Sequence, residues 1–401
     1  MRLTRSKIAF FLGGFFLFKP EYMDRIPLAD MFFNIGIVIT FAVSLFHWLL
    51  KKKIRKEMMM VFAFYFTLLA TTLLHNGNIW TLGISAIKIL GICLMIDLSI
   101  NKLKPLLDSW SFLFMILVLV NLLIVLSFPE GLYRHELDRL PCYLFGHKNA
   151  CAVRTFSMMA FIILRSVIVY SKLSFWDWCL VALTGISLVL IGSATSLVSF
   201  VFFVMLLFFM RTRVFTNVIN TWIMMLTSII FTLLFVVFRV QAYFSFLIED
   251  LMQKSLTLTG RTRIWDGALL AIIRSPWIGW GIENKETAMQ KLYLTTPHNT
   301  WLDMLYRGGI ILFVLFVTFL IISSINIERY RESHISKIIR YILYFFFIYF
   351  IADSAYGNSL DFLFTTLFMA CNLETIIDQS ELFHARRNTY NLHTYRRYLV
   401  E

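Results

Sequence analysis

Two stretches of this 401-residue chain bring histidine, arginine and asparagine into spacings that could do chemistry. The first, "LFGHKNACAVR" (144–154), offers His147, Lys148, Asn149 and Arg154. The second runs from "TGRTRIWDGALLAIIRSPWIGWGIEN" (259–284) to "TTPHNTWLDMLYRGGI" (295–310) and offers Arg261, Arg263, His298 and Asn299. Thr296-Pro297 reads as an N-cap followed by proline at the first helical position, so His298 and Asn299 are expected in the first turn of a helix. The positive end of a helix dipole attracts an anionic phosphate and favours a neutral imidazole that can accept a proton. A lone histidine there would merely complete the cap; the neighbouring arginines favour a site. Arg154 falls slightly inside an apolar segment, where a charge is costly and faces a cavity or a partner, or else snorkels to lipid phosphate. Asp250, Asp266, Glu283 and Glu286 are spread without ligand spacing, so no metal and no cofactor are expected. The five cysteines make no metal pattern and read as packing residues, with a disulfide between Cys142 and Cys151 as the alternative.

The elements that must position these residues are membrane spans. Hydrophobic residues make up 59% of the chain and charged ones 15%, against about 25% charged in soluble domains. Apolar runs near the roughly 20 residues needed to cross a bilayer recur throughout. Breaks between them predict helices near 8–18, 28–50, 58–74, 79–100, 106–128, 150–170, 175–192, 196–210, 214–238, 300–325, 338–352 and 361–377. The expectation is an all-α polytopic membrane protein: a single transmembrane domain over 1–401, about 12 helices, no internal repeat. "MRLTRSK" before the first run resembles a signal peptide, but "KPEYMDR" offers no small-residue cleavage site, so 8–18 is kept as a short span.

More than half of the 37 Lys and Arg fall in breaks on one side, such as "KKKIRK" (51–56), "NKLK" (101–104), "RTR" (211–213) and "RYRESHISKIIR" (329–340). The positive-inside rule puts that side and both termini in the cytoplasm. Loops 129–149 and 239–299 then share the opposite, extracytoplasmic face. Within the larger loop Ile264, Ala268, Ala271 and Ile272 recur at helical spacing, and Ser275-Pro276 and Gly279/Gly281 end the pattern. An amphipathic helix over 262–274 should lie along the membrane surface. Trp265, Trp277 and Trp280 read as interfacial anchors rather than sugar platforms. Lys88, deep in the fourth span, demands a partner that the sequence does not name, and Arg165 reads as snorkelling toward the cytoplasm. The net charge of +13 belongs to this topology and, in the basic tail "HARR" (384–387) and "YRR" (395–397), to anionic lipid rather than nucleic acid. "GWGIEN" (279–284) neither follows a strand nor matches a nucleotide-binding glycine pattern.

In order, spacing and side of the membrane, "GHKN", "GRTRIWDGALLAIIRSPWIGWG" and "HNTWLDMLYRGG" together resemble the O-antigen polymerase and ligase superfamily, which includes capsular polysaccharide polymerases. Two positions depart from its pattern: "GSATS" (192–196) stands where many members carry a Ser-Arg pair, and Arg307 where many carry an acidic residue. The resemblance implies a metal-independent glycosyltransferase of the bacterial plasma (inner) membrane. It would transfer glycan from undecaprenyl pyrophosphate onto a lipid-linked repeat unit at the outer face. It further implies that Arg154, Arg261 and Arg263 clamp the pyrophosphate and that His298 takes the proton of the acceptor hydroxyl. His147, Asn149 and Asn299 would bind substrate; if His298 only positions or caps, Asp303 on the same helix is the first place to look for a base. Implied partners are the lipid-linked oligosaccharide, membrane lipids, a flippase and a chain-length regulator. A ligase with the same donor chemistry stays open, as does a lipid-linked oligosaccharide flippase, which would also need intramembrane cations such as Lys88 and Arg154.

Overall fold

The computed structural model describes residues 4–51, 54–135, 140–211, 219–240 and 261–398, with side chains up to 385. The opening of the large loop (241–260, with Asp250), most of "RTR", the start of the 214–238 span and the arginines of the tail lie outside the described residues or side chains. The first helices are α1 (Arg5–Leu17), α2 (Pro27–Leu50), α3 (Lys56–Leu74), α4 (Ile79–Ser99) and α5 (Lys104–Ser127). Next come α6 (Lys148–Tyr170), α7 (Phe175–Ile191), α8 (Ala194–Phe208) and α9 (Thr221–Val236). The large loop holds α10 (Arg261–Arg274) and α11 (Lys285–Leu292). The chain ends with α12 (Thr300–Arg329), α13 (His334–Ala352), α14 (Leu360–Cys371) and α15 (Leu373–Tyr398).

Each apolar run read from the sequence falls on a helix. Among the described residues seven helices are long and apolar enough to cross a membrane, or up to eight if α14 and α15, bent by 77° at their junction, count as one span. Helices α7, α8 and α9 are apolar but shorter. The architecture is thus that of an all-α, multi-pass membrane protein.

Two helices form the axis of the bundle. The most apolar stretch of α6 is 94% buried and that of α13 is 83% buried, against 22% for α2 at the rim. Small and aromatic side chains let them meet, with Phe156 of α6 stacked on Phe345 of α13 at 3.5 Å between ring centroids. Both axial helices end on the same side of the bundle, α6 starting after His147 and α13 stopping at Asp353.

The loop before α6 departs from the purely helical expectation. Three short antiparallel strands, β1 (Tyr133–Arg134), β2 (Pro141–Tyr143) and β3 (Gly146–His147), pair in that order. Cys142 pairs with His147 across the sheet, so the strand delivers His147 directly to the helix start. Cys142 and Cys151 are both free thiols, which removes the disulfide alternative.

Helix α12 is broken at Gly309 (φ 59°, ψ −159°). The loop segment after α10 fills the break. Trp280 and Gly281 N–H donate to the Tyr306 and Arg307 carbonyls at 2.8 and 2.7 Å, while Ile310 and Ile311 N–H donate to the Pro276 and Trp277 carbonyls at 2.8 and 3.3 Å. In an unbroken helix Ile310 and Ile311 would have bonded Tyr306 and Arg307. All four orphaned groups are therefore re-satisfied by the loop, as burial in a membrane protein demands. A side chain at Gly279 or Gly309 would strike the opposite backbone, which explains the first glycine of "GWG" and the second of "RGG" in physical terms.

Candidate functional site

The helix start predicted at Thr296 lies three residues further on. Asn299 is the N-cap of α12: its Oδ1 accepts from Leu302 N–H at 3.0 Å, and its amide donates to Thr232 Oγ1 at 3.1 Å and Ile351 O at 3.0 Å. A side-chain cap of this kind contributes about 0.5–2 kcal/mol. Asparagine competes for this role better than threonine here because its acceptor and donors can tie α9, α12 and α13 at once. Asn299 is fully buried, so its contacts are internal. His298 is outside the helix, in the left-handed region with φ +49°.

His298 Nδ1 lies 3.2 Å from Oδ1 of Asp353, at the end of α13. Ser354 N–H donates to the same oxygen at 2.8 Å, and Thr300 Oγ1 ties the Asp353 carbonyl to the start of α12. Burial acts to raise the Asp353 pKa, but the His298 hydrogen bond and the charges of His298, His147 and Arg261 outweigh it and hold the carboxyl at about 2. An ionised Asp353 accepts only, so Nδ1 of His298 donates to it, and in the neutral form of the ring Nε2 is the acceptor. The ring is 23% exposed whereas Asp353 is 2% exposed, so the free nitrogen belongs to an open site with a buried orienting group.

His147 is the N-cap of α6, its Nδ1 accepting from Asn149 N–H at 3.3 Å. That fixes the opposite tautomer, with Nε2–H as donor. Burial pushes its pKa down, against the pull of Asp353 and Glu21, so the ring stays neutral. The structure therefore brings together two imidazoles near Asp353, one donating from Nδ1 and the other accepting at Nδ1.

Arg261 opens α10 close enough to Asp353 and Tyr349 to act on both electrostatically. Arg263, two residues on, is exposed and lies over the ring of Tyr293 at 3.8 Å. Helix α10 sits on α12 with Trp265 against Leu302 and Ala268 and Ala271 against Tyr306, Ile264 being buried as well, and Asp266 is paired with Arg239 beyond α9. Trp265 is thus a core residue, and Trp280 donates to Ala271 O and packs against Lys291; Trp277 alone of the three is exposed.

Arg154 is buried one turn and a half into α6. Its Nε donates to Asn358 O at 2.7 Å and its Nη2 to Gly357 O at 3.3 Å, both in the turn between α13 and α14, and Nη2 is 3.9 Å from Asp361 Oδ2. The same Asp361 oxygen receives Lys88 Nζ at 2.7 Å, which supplies the missing partner of Lys88. Asn149 accepts from Ser193 at 3.0 Å, so the "GSATS" turn meets the site through serine rather than arginine. Asp303, the fallback base, is buried against Arg307 Nε at 2.8 Å, and Arg307 lies over Tyr356. Arg165 is corrected from a snorkelling residue to an ion-pair partner of Asp108 at 2.6 Å.

Sequence reading missed the turn "ADSAYGNSLD" (352–361), which supplies Asp353 and Asp361. The available signal was its density of polar groups between two apolar runs, where each buried carboxylate needs a partner.

The fold defines a multi-pass, predominantly helical membrane protein with a polar site at one end of its bundle. Residues 179–317 match the family model described as O-Antigen ligase. This match spans about a third of the chain, includes Arg261, Arg263, His298 and Asn299, and supports the O-antigen polymerase and ligase superfamily. No curated protein matches the chain.

Proposed function

We propose that the protein is a polysaccharide polymerase that transfers glycan from an undecaprenyl pyrophosphate carrier onto a lipid-linked repeat unit at the outer face of the bacterial plasma membrane. The observation that carries this reading is the His298–Asp353 pair, with Arg261 beside it. The acceptor hydroxyl attacks the anomeric carbon and gives its proton to His298 Nε2; the bond to the pyrophosphate breaks and its electron pair leaves with the phosphate oxygen. Asp353 holds the ring and stabilises the imidazolium that forms, as the carboxylate of a catalytic triad does. Arg261 meets the charge that grows on the leaving group, with Arg263 at the exposed edge and no metal required. His147 Nε2–H donates to the sugar or phosphate. Asn299 supports the site as a cap, and Asn149 binds from beside Ser193.

Mass analysis of undecaprenyl-linked glycans in cells lacking the gene tests the assignment. Accumulated single repeat units support a polymerase; accumulated long carrier-linked chains would make it a ligase. The outer placement rests on the charge asymmetry of the loops. A cysteine at Lys285 should react with an impermeant thiol reagent in intact cells or spheroplasts, and reaction after lysis alone would invert the topology.

A further inference from the structure

Beside His147 stands a carboxylate that the chemistry above does not use. Glu21 opens a short 3-10 turn (Glu21–Arg25) between α1 and α2. That turn docks on the loop before α6, Tyr22 N–H donating to Leu144 O at 3.1 Å. The approach is close: a Cβ at Gly146, the glycine of "GHKN" with φ +96°, would fall on the Glu21 carboxylate. The sheet register pairs Tyr133 with Cys142 and Cys142 with His147, so the three side chains share one face. Tyr133 reaches Glu21 from that face, its hydroxyl 3.4 Å from Oε1.

This long hydrogen bond is the only one that Glu21 makes, and among the described residues no cation pairs with it. Arg25, in the same turn, lies over the Tyr133 ring, and Lys19 is taken by Asp24 and Asp30. Glu21 and His147 are both half-buried, so neither is sealed from a ligand. His147 spends Nδ1 on the Asn149 N–H, and its Nε2–H has no partner among the described residues. An unused donor beside an unused acceptor matches a hydroxyl, which accepts with its oxygen and donates with its hydrogen. It does not match a phosphate, which the carboxylate would repel. Charge is divided accordingly: Arg261 acts on Asp353, whereas Glu21 acts on His147.

We propose that Glu21 and His147 form a glycan subsite that holds a hydroxyl of an uncharged sugar ring next to the reacting centre. The assignment rests on the transfer reading above and narrows it, since the pyrophosphate then belongs on the Arg261 side and the sugar at His147 carries no carboxylate. The sugar hydroxyl donates to Glu21 and accepts from His147 Nε2–H, while Tyr133 keeps the carboxylate in place.

The full-length protein in lipid nanodiscs, titrated separately with bare undecaprenyl pyrophosphate and with the carrier-linked repeat unit extracted from the host bacterium, tests it. Wild type should bind the glycosylated carrier more tightly. Glu21→Gln keeps the shape and loses the ionised acceptor. It should weaken the glycosylated carrier by about tenfold, the usual worth of a hydrogen bond to a charged group, and leave the bare carrier unchanged, which also reports that the variant is folded. Tyr133→Phe cuts the tie to the sheet and keeps the carboxylate, so both affinities should stay within about twofold of wild type. Equal binding of the two probes by wild type, no loss or an equal loss on both probes in Glu21→Gln, or the same selective loss in Tyr133→Phe would each overturn the subsite, the last reducing Glu21 to a brace. Wild type that binds the glycan through Glu21 yet never joins two repeat units would instead sink the transfer reading and leave the subsite standing.

Discussion

Asp108 and Asp353 are both buried carboxylates at opposite ends of the bundle. Asp108 has one oxygen on Lys7 at 2.8 Å and the other on Arg165 at 2.6 Å, tying α1, α5 and α6 together. Asp353 shares one oxygen between His298 and Ser354 N–H, and its other oxygen has no hydrogen-bond partner among the described residues. A saturated carboxylate is a structural tie; an unsaturated one beside a partly exposed imidazole keeps capacity for a reaction.

The strongest way to break this comparison is to neutralise the site. His298→Ala and Asp353→Asn should each cost about 10²–10⁴ in chain extension, the usual cost of losing a general base or its tautomer, at wild-type protein levels in the membrane. His298→Gln separates proton transfer from hydrogen bonding: normal polymer in that variant would reduce His298 to a positioning residue. Arg261→Lys should lower turnover by about 10–100-fold, because a point charge replaces a planar fork. If EDTA abolishes wild-type turnover and Mg²⁺ restores it, arginine is not the neutralising group.

The opposite pattern is expected at the structural tie. Asp108→Ala strands two cations, and breaking a buried pair costs about 3–5 kcal/mol, less whatever Lys7 and Arg165 recover from lipid phosphates. Thermal stability should fall while turnover per folded molecule stays unchanged; lost turnover in stable protein would erase the distinction. The smallest effect concerns His147. Burial lowers its pKa in the folded state from 6.5, so below that pH the unfolded chain binds a proton that the folded ring resists. Stability should therefore fall as pH drops from 7.5 to 5.5, and His147→Asn should flatten that slope in detergent melting curves. An equal slope in the variant would show that another group titrates.

The helices were legible because apolar period and length are local, and α10 kept its expected buried face of Ile264, Ala268 and Ala271. The cap of α12 was misread because Thr296-Pro297 satisfies local rules, whereas Asn299 wins through contacts with Thr232 and Ile351, far away in sequence. His147, His298 and Arg261 were legible as types at the right end of the bundle. Asp353 and Asp361 were not, since a carboxylate in a short turn declares itself only when the facing helix supplies its partner.

The exchange of four hydrogen bonds between 276–281 and 306–311 bears on heredity and engineering. The loop's backbone substitutes for a missing turn of helix, so neither piece has a complete set of partners alone. A chimera that imports the loop from a relative without the matching broken helix leaves unpaired amides in the bilayer region. Loop and helix should therefore be transplanted, and should drift in sequence, as one inherited cassette.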